Sequence, residues 1–364
     1  MRSLLRGLKQ LVFIAMLIGM AASASTVIPQ GWSAANILFF KDTLQLTRFR
    51  LAQLSAQDYS RHLEQALAEQ DIELARSLLN LAEEQGVVLA PHWQAQVAEQ
   101  ETWSATARRN SADIWQGIST GRADSGAGLA AATISDFTLF GDVRDVLQQS
   151  IAWPDHDPVL LALAGTGLGL SAVTIASGGT AAPVKVGLSL VKVARKTGRL
   201  SKNLGRQLTR ITKNAIDPKA VSEMSTRLGK LELKTLNRVQ LDDLASAAKG
   251  IVSPTATKQL LKSGRSARRI ANNTSPTGAL DALQHADSVA ELSRLARLSD
   301  GLKGGFRASL RLLPDLGKSF YKLTSTLLTL LFWLGGALLW LGTALYYTVR
   351  ILVWLLMGLG RLLS

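Results

Sequence analysis

Asp142 and Asp145, in the stretch FGDVRD, are the residue pair in this chain whose types and spacing could do chemistry. Paired carboxylates beside a bilayer can relay protons or hold cations, and with Asp136 and Arg144 they make up the candidate functional set. The same residues have a structural use. Asp142 can cap a helix running from Val143 to Gln149, and Asp145 falls in its first turn, where the helix dipole favours an anion. Little else is arranged for catalysis. His62, His92, His156 and His285 are scattered without ligand spacing. The chain has no cysteine, which excludes disulfides, thiolate metal sites and cysteine nucleophiles. Glu232 and Lys234 in LELK are spaced as in a nuclease signature, but they lie in a helical pattern without the strand or acidic partner such a site needs. No G-x-S-x-G, H-E-x-x-H or kinase set occurs. The sequence therefore identifies no catalytic residue, metal or cofactor.

A glycine-rich run, LLALAGTGLGLSAVTIASGG, begins at Leu160. Its Gly165, Gly167 and Gly169 miss the G-x-G-x-x-G pattern because Leu170 takes the last place, and no P-loop lysine follows, so a nucleotide site is not indicated. Gly165 and Gly169 lie four apart, and Ala172 and Ala176 continue the same face. That surface lets another helix approach closely. From Pro158 to Val184 there is no charge. Asp155 and Asp157 precede the run, and Lys185, Lys192, Arg195, Lys196, Arg199 and Lys202 follow it, which is the asymmetry of the positive-inside rule. The expectation is an apolar membrane segment over 126–184 with a span at about 158–180; a buried glycine-rich hairpin is the competing reading.

The stretch GLAAATISDFTLFGDVRDVLQQSIAW, with Asp136, Gly141, Asp142, Arg144 and Asp145 and the glycine-rich run after it, resembles the pre-toxin linker segments of bacterial polymorphic toxin proteins. The resemblance covers residues 126–200 and implies a membrane-apposed or export-associated segment. It carries over no catalytic residue.

Both ends of the chain are built to meet a membrane. Arg2, Arg6 and Lys9 precede an apolar run from Leu11 to Ala22 and then small residues, the order of a signal peptide cleaved after Ala24 or of a signal anchor. Residues 323–349 are uncharged and leucine-rich, as a transmembrane helix requires. Trp333, Trp340, Tyr347 and Trp354 recur every seven residues along one stripe, the pattern of a lipid or helix contact. The tail 350–364 carries Arg350 and Arg361 and is expected to lie at the interface or to extend the same helix.

Between these ends the charge is lopsided. Within the net +14, Ser25–Asp157 holds 9 basic and 17 acidic residues, and Lys185–Lys322 holds 27 basic and 10 acidic. Apolar spacing in RHLEQALAEQDIELARSLLNLAEEQG predicts an αα-hairpin with Asp71 as a cap and Gly86 as a stop. Asp217-Pro218, Ser253-Pro254 and Ser275-Pro276 mark helix starts, and Ser288 with Glu291 a capping box. The expected fold is therefore an all-α helical membrane protein: an acidic helical domain at 25–125, the membrane segment at 126–184, a basic helical domain at 185–322 and a C-terminal transmembrane anchor. The expected location is the bacterial inner membrane, with the acidic half periplasmic and the basic half cytoplasmic. The lipid bilayer, with its anionic headgroups, and an envelope protein are the expected partners. The basic half holds too few aromatics to stack single-stranded nucleic acid, so nucleic acid is not. The function expected is that of a non-catalytic scaffold or interaction partner in the cell envelope; the alternative is a membrane-active or export-associated component related to polymorphic toxin systems.

Overall fold

The structure is a computed structural model that describes residues 2–40, 42–101, 142–176, 182–229, 243, 246–248, 250–318 and 324–362. Among these residues every regular element is helical, and the backbone pairing outside helices is a single antiparallel bridge between Ile216 and Val252. The chain divides into two compact units. One joins Met1–Gln53 to Lys318–Ser364, and the other is Leu54–Gly317.

The first unit is built from α1 (Arg2–Phe40), α2 (Thr43–Leu51) and α16 (Thr324–Leu362). Both long helices hold an apolar stretch sufficient to cross a membrane, Ile14–Phe40 and Thr326–Val353, by length and composition. They pack antiparallel. Ala34, Ile37, Leu46, Phe49 and Leu330 form a buried cluster that Trp333 covers. Trp340 Nε1 donates to Ser23 Oγ at 3.2 Å, and the Tyr347 hydroxyl to Met16 Sδ at 3.0 Å. These contacts step by seven residues along both helices, so the aromatic stripe is a helix contact, with a repeat suited to left-handed packing. The Trp354 side chain lies outside the described residues. Two expected boundaries are not breaks in the structure: α1 runs on past Ala24, and α16 runs on past Arg350.

Gly31 marks the closest approach of the pair, since a Cβ there would overlap that of Ala337. Gly31→Leu is expected to part the two helices. In a chain carrying Ala34→Cys and Leu330→Cys, oxidation should link α1 to α16, and Gly31→Leu should cut that yield severalfold. Undiminished linking would mean that the pair does not depend on this crossing.

The second unit holds the remaining helices. They are α3 (Ala56–Ala68), α4 (Ile72–Glu84), α5 (91–101), α6 (142–151), α7 (Pro158–Ala176), α8 (Ala182–Lys196), α9 (Lys202–Lys213), α10 (Pro218–Gly229), α11 (described at 246–248 and 250–251), α12 (Pro254–Asn273), α13 (Pro276–His285), α14 (Val289–Leu302) and α15 (Phe306–Leu312). Their starts follow the local signals. Asp71 accepts the Leu74 N–H at 3.0 Å and opens α4, while Gly86, with φ of 69°, follows its end. Ser253, Ser275 and Ser288 cap α12, α13 and α14, the first two with proline in the first turn. Helices α8 and α12 cross at Gly187 and Gly264, where a Cβ on Gly187 would run into the Gly264 carbonyl.

Residues 54–317 form one compact unit that contains parts of the expected acidic domain, membrane segment and basic domain. Helices α3 and α4, from the acidic half, pack on α15 from the basic half. Ser77 donates to the Gly304 carbonyl at 2.5 Å and accepts from the Ala308 N–H at 3.0 Å. These contacts join the expected acidic half directly to the expected basic half. The glycine-rich run is the first arm of an antiparallel hairpin, α7 on α8, whose Val159, Leu161, Ala162, Leu163 and Ala164 are buried against neighbouring helices.

Candidate functional site

Helix α6 presents Asp142 and Asp145 three residues apart, so both carboxylates leave the same side. Opposite them, α8 carries Lys185, Lys192 and Lys196 at offsets of seven and four residues, which sets three ammonium groups along one stripe. Lys192 forms a short ion pair with Asp142 Oδ1 and stands 3.1 Å from Asp145 Oδ2 without the alignment of a hydrogen bond. Lys196 donates to Asp145 Oδ1 at 2.6 Å. Lys185 lies 3.8 Å from Asp142 Oδ2 and donates to Ser171 Oγ at 2.5 Å; that hydroxyl donates in turn to the Gly167 carbonyl of α7. The cluster is enclosed: Asp142 is 3% exposed and Asp145 2%. Gly167 provides the room, since a Cβ on it would stand 2.5 Å from Asp142 Oδ2.

Burial and pairing pull on these groups in opposite directions. For Asp142 desolvation wins over Lys192 and Lys185 and raises its pKa above the usual 3.8. For Asp145 desolvation is outweighed by the hydrogen bond from Lys196 and the charge of Lys192, which lower it. Lys192 likewise loses by desolvation and gains more from Asp142, so its pKa is raised. The stripe on α8 thus favours the charged form of Asp145, offsets part of the desolvation of Asp142, and sets α6, α7 and α8 in register. The cap expected at Asp142 has become a crossing point between three helices.

Of the other sequence candidates, Arg144 is exposed and 3.7 Å from Asp145. Asp136 and Gly141 lie outside the described residues. Gly165 faces Ile251 of α11, where a Cβ would meet it at 3.1 Å; Gly169 is half-buried, and the side chains of Ala172 and Ala176 lie outside the described residues. The expected packing face is therefore occupied at Gly165, while Gly167, on another side, admits the carboxylate. The three lysines were missed as site residues because their run looks like a topology signal. Their helical spacing was the readable sign.

A second charged junction ties the two halves of the unit together. Arg307 at the start of α15 is 4% exposed. Its Nη1 and Nη2 donate to Asp71 at 2.9 and 2.7 Å, its Nε donates to Asp281 at 2.7 Å, and Glu73 lies 3.6 Å away. Arg199 reaches Asp281 at 2.6 Å, and Arg311 reaches Glu69 at 3.0 Å. Together they surround a polar cavity of about 390 Å³ that His285 also lines. Among the described residues no set of three or more His, Asp and Glu side chains converges as metal ligands. Among the described residues, the structure thus defines an all-α fold with two long apolar helices and a helical unit crossed by internal ion pairs. No protein-family model matches the chain, and comparison with curated proteins and with solved structures gives no match.

Proposed function

We propose that this is a bacterial inner-membrane protein anchored by α1 and α16 as an antiparallel hairpin, with Leu54–Gly317 displayed on the periplasmic side as a non-catalytic interaction module. The observation that carries the reading is the hairpin itself. Its outward apolar side chains, among them Ile18, Phe39, Leu328, Phe332, Leu339 and Leu345, are exposed, as lipid-facing residues would be. Each apolar stretch, at about 1.5 Å per residue, exceeds a hydrocarbon core about 30 Å thick. Phe40 and Thr324, where the chain leaves the pair, share one end, and Arg2, Arg6 and Lys9 belong to the other. Lysine and arginine ahead of the first apolar run favour keeping that end in the cytoplasm. Internal ion pairs at Asp142–Asp145 and at Arg307 tie helices of the second unit to one another, which supports a body built for rigidity and docking.

The absence of cysteine makes the test direct. Single cysteines replacing Gln65 in the acidic half and Gln259 in the basic half, both exposed, are treated with a membrane-impermeant maleimide on intact cells and after lysis. Both should react on intact cells. Labelling of only one would restore a membrane between the halves. Labelling of neither until lysis would place the unit in the cytoplasm. Collapse of the membrane potential on overexpression, dependent on residues 126–184, would favour the membrane-active reading that the pre-toxin resemblance supports.

A further inference from the structure

We propose that a cavity of about 370 Å³ beside α12, lined by Arg265, Arg268, Arg269, Asn272 and Asn273, binds a phosphate ester. The argument begins with the composition of the helix. Pro254–Asn273 carries Lys258, Lys262, Arg265, Arg268 and Arg269 and no acidic residue. One carboxylate borders the cavity, Asp300 of α14, and it is already engaged. Arg269 grips it with Nε at 2.8 Å and with Nη2 on the other oxygen, and Asn273 Nδ2 donates to it at 2.7 Å. Arg265 and Arg268 are left with no ion pair among the described residues.

Arg268 is the sharper case. Its Nε is shut away from solvent and has no hydrogen-bond partner among the described residues. Desolvation, with no anion to offset it, holds its guanidinium below the ordinary arginine pKa. A buried charged donor without an acceptor is costly, and an oxyanion with paired oxygens fits the guanidinium fork. Two guanidinium groups and the Asn272 amide offer more donor directions than a carboxylate's two oxygens can use, whereas a tetrahedral phosphate can accept from several sides. The volume exceeds that of the bare ion, and Val184 of α8 adds an apolar wall for the organic part of an ester. A phospholipid headgroup and a soluble phosphate monoester share this chemistry, and the site stands whichever side of the membrane the unit occupies.

The experiment uses the full chain. In nanodiscs of phosphatidylcholine it is titrated with glycerol 3-phosphate, and in nanodiscs with added phosphatidylglycerol the lipid retained after detergent extraction is measured by native mass spectrometry. Binding of the first probe assigns a soluble ester, and retention of the second a lipid. Arg268→Gln should weaken whichever binds by about tenfold or more, as loss of a charge-assisted hydrogen bond implies. Arg268→Lys, which keeps the charge and loses the fork, should do nearly the same, while the exposed Lys258→Gln should leave affinity within about twofold. If Arg268→Gln does not fold, Asn272→Asp puts a repelling carboxylate at the cavity and should abolish binding. The proposal is overturned if neither probe binds, or if Arg268→Gln and Lys258→Gln weaken binding equally, since the latter describes a diffuse basic face.

Discussion

Arg307→Met should lower the stability of the Leu54–Gly317 unit by about 3 kcal/mol and its Tm by roughly 6–12 °C, whereas Arg311→Met should cost under about 1 kcal/mol. The contrast follows from burial. Arg307 is almost fully enclosed, and its removal strands Asp71 and leaves Asp281 with Arg199 alone; both carboxylates are more than two-thirds covered. Arg311 and Glu69 meet near the surface, where water replaces either partner. For Arg307, desolvation opposes the charge, but the hydrogen bonds it donates to Asp71 and the charges of Asp281 and Glu73 outweigh it, and its pKa is raised. The same junction predicts acid lability. Burial pushes the Asp71 pKa up, yet Arg307 more than offsets this and holds it below 3.8. A depressed folded-state pKa contributes stability that is complete above the unfolded value and is lost as pH falls through the folded one. The parent chain should therefore lose stability below pH 3.8 more steeply than Arg307→Met does. Thermal melts followed by circular dichroism across that range decide it, and equal Tm values for Arg307→Met and the parent at neutral pH would remove Arg307 from the account.

The helix starts were legible because their causes are local. Ser275, Pro276 and the Gly278 N–H that Ser275 binds at 3.0 Å lie within four residues, so a reader of the chain has all the parts in view. The charge asymmetry was visible too, but its cause was not. An excess of acid before residue 158 and of base after 184 fits a membrane between two halves, and it fits equally well two halves that neutralise one another. Arg307 and Asp71 are 236 residues apart, and Lys192 and Asp142 are 50 apart. Nothing in a linear pattern chooses between repulsion across a bilayer and attraction across an interface. The glycine-rich run suffered in the same way, because a helix sealed by protein and a helix sealed by lipid are both uncharged. Only its many Gly, Ala, Ser and Thr residues, which gain little from hydrocarbon, made a span there marginal. The α16 stretch lacks that weakness, being rich in leucine.

Lys192→Met is expected to be the most damaging single change at the Asp142–Asp145 cluster, at about 3–5 kcal/mol. Among the described residues, Lys192 is the one cation that approaches both carboxylates, and its own side chain is 12% exposed. Without it Asp142 keeps only Lys185, 3.8 Å away, and Gly167 presses the α7 backbone against the carboxylate so that water has little room to enter. Asp142 already has a raised pKa from desolvation, and the substitution removes the main force opposing that rise. The pH dependence should then run opposite to that at Arg307. A group whose folded-state pKa is raised favours the fold below its unfolded value of 3.8 and withdraws that support as pH climbs through the folded one. Lys192→Met should thus lie closest to the parent in mild acid and furthest from it near neutrality. Adding Asp142→Asn should recover at least half of the loss, because the penalty belongs to the stranded charge and an amide of the same shape carries none. Arg144→Gln, on the exposed side of α6, should stay within about 0.5 kcal/mol of the parent. Urea midpoints of the four chains at neutral pH test the set. A Lys192→Met chain that unfolds at the parent midpoint would mean that α8 does not hold α6 and α7 through this charge.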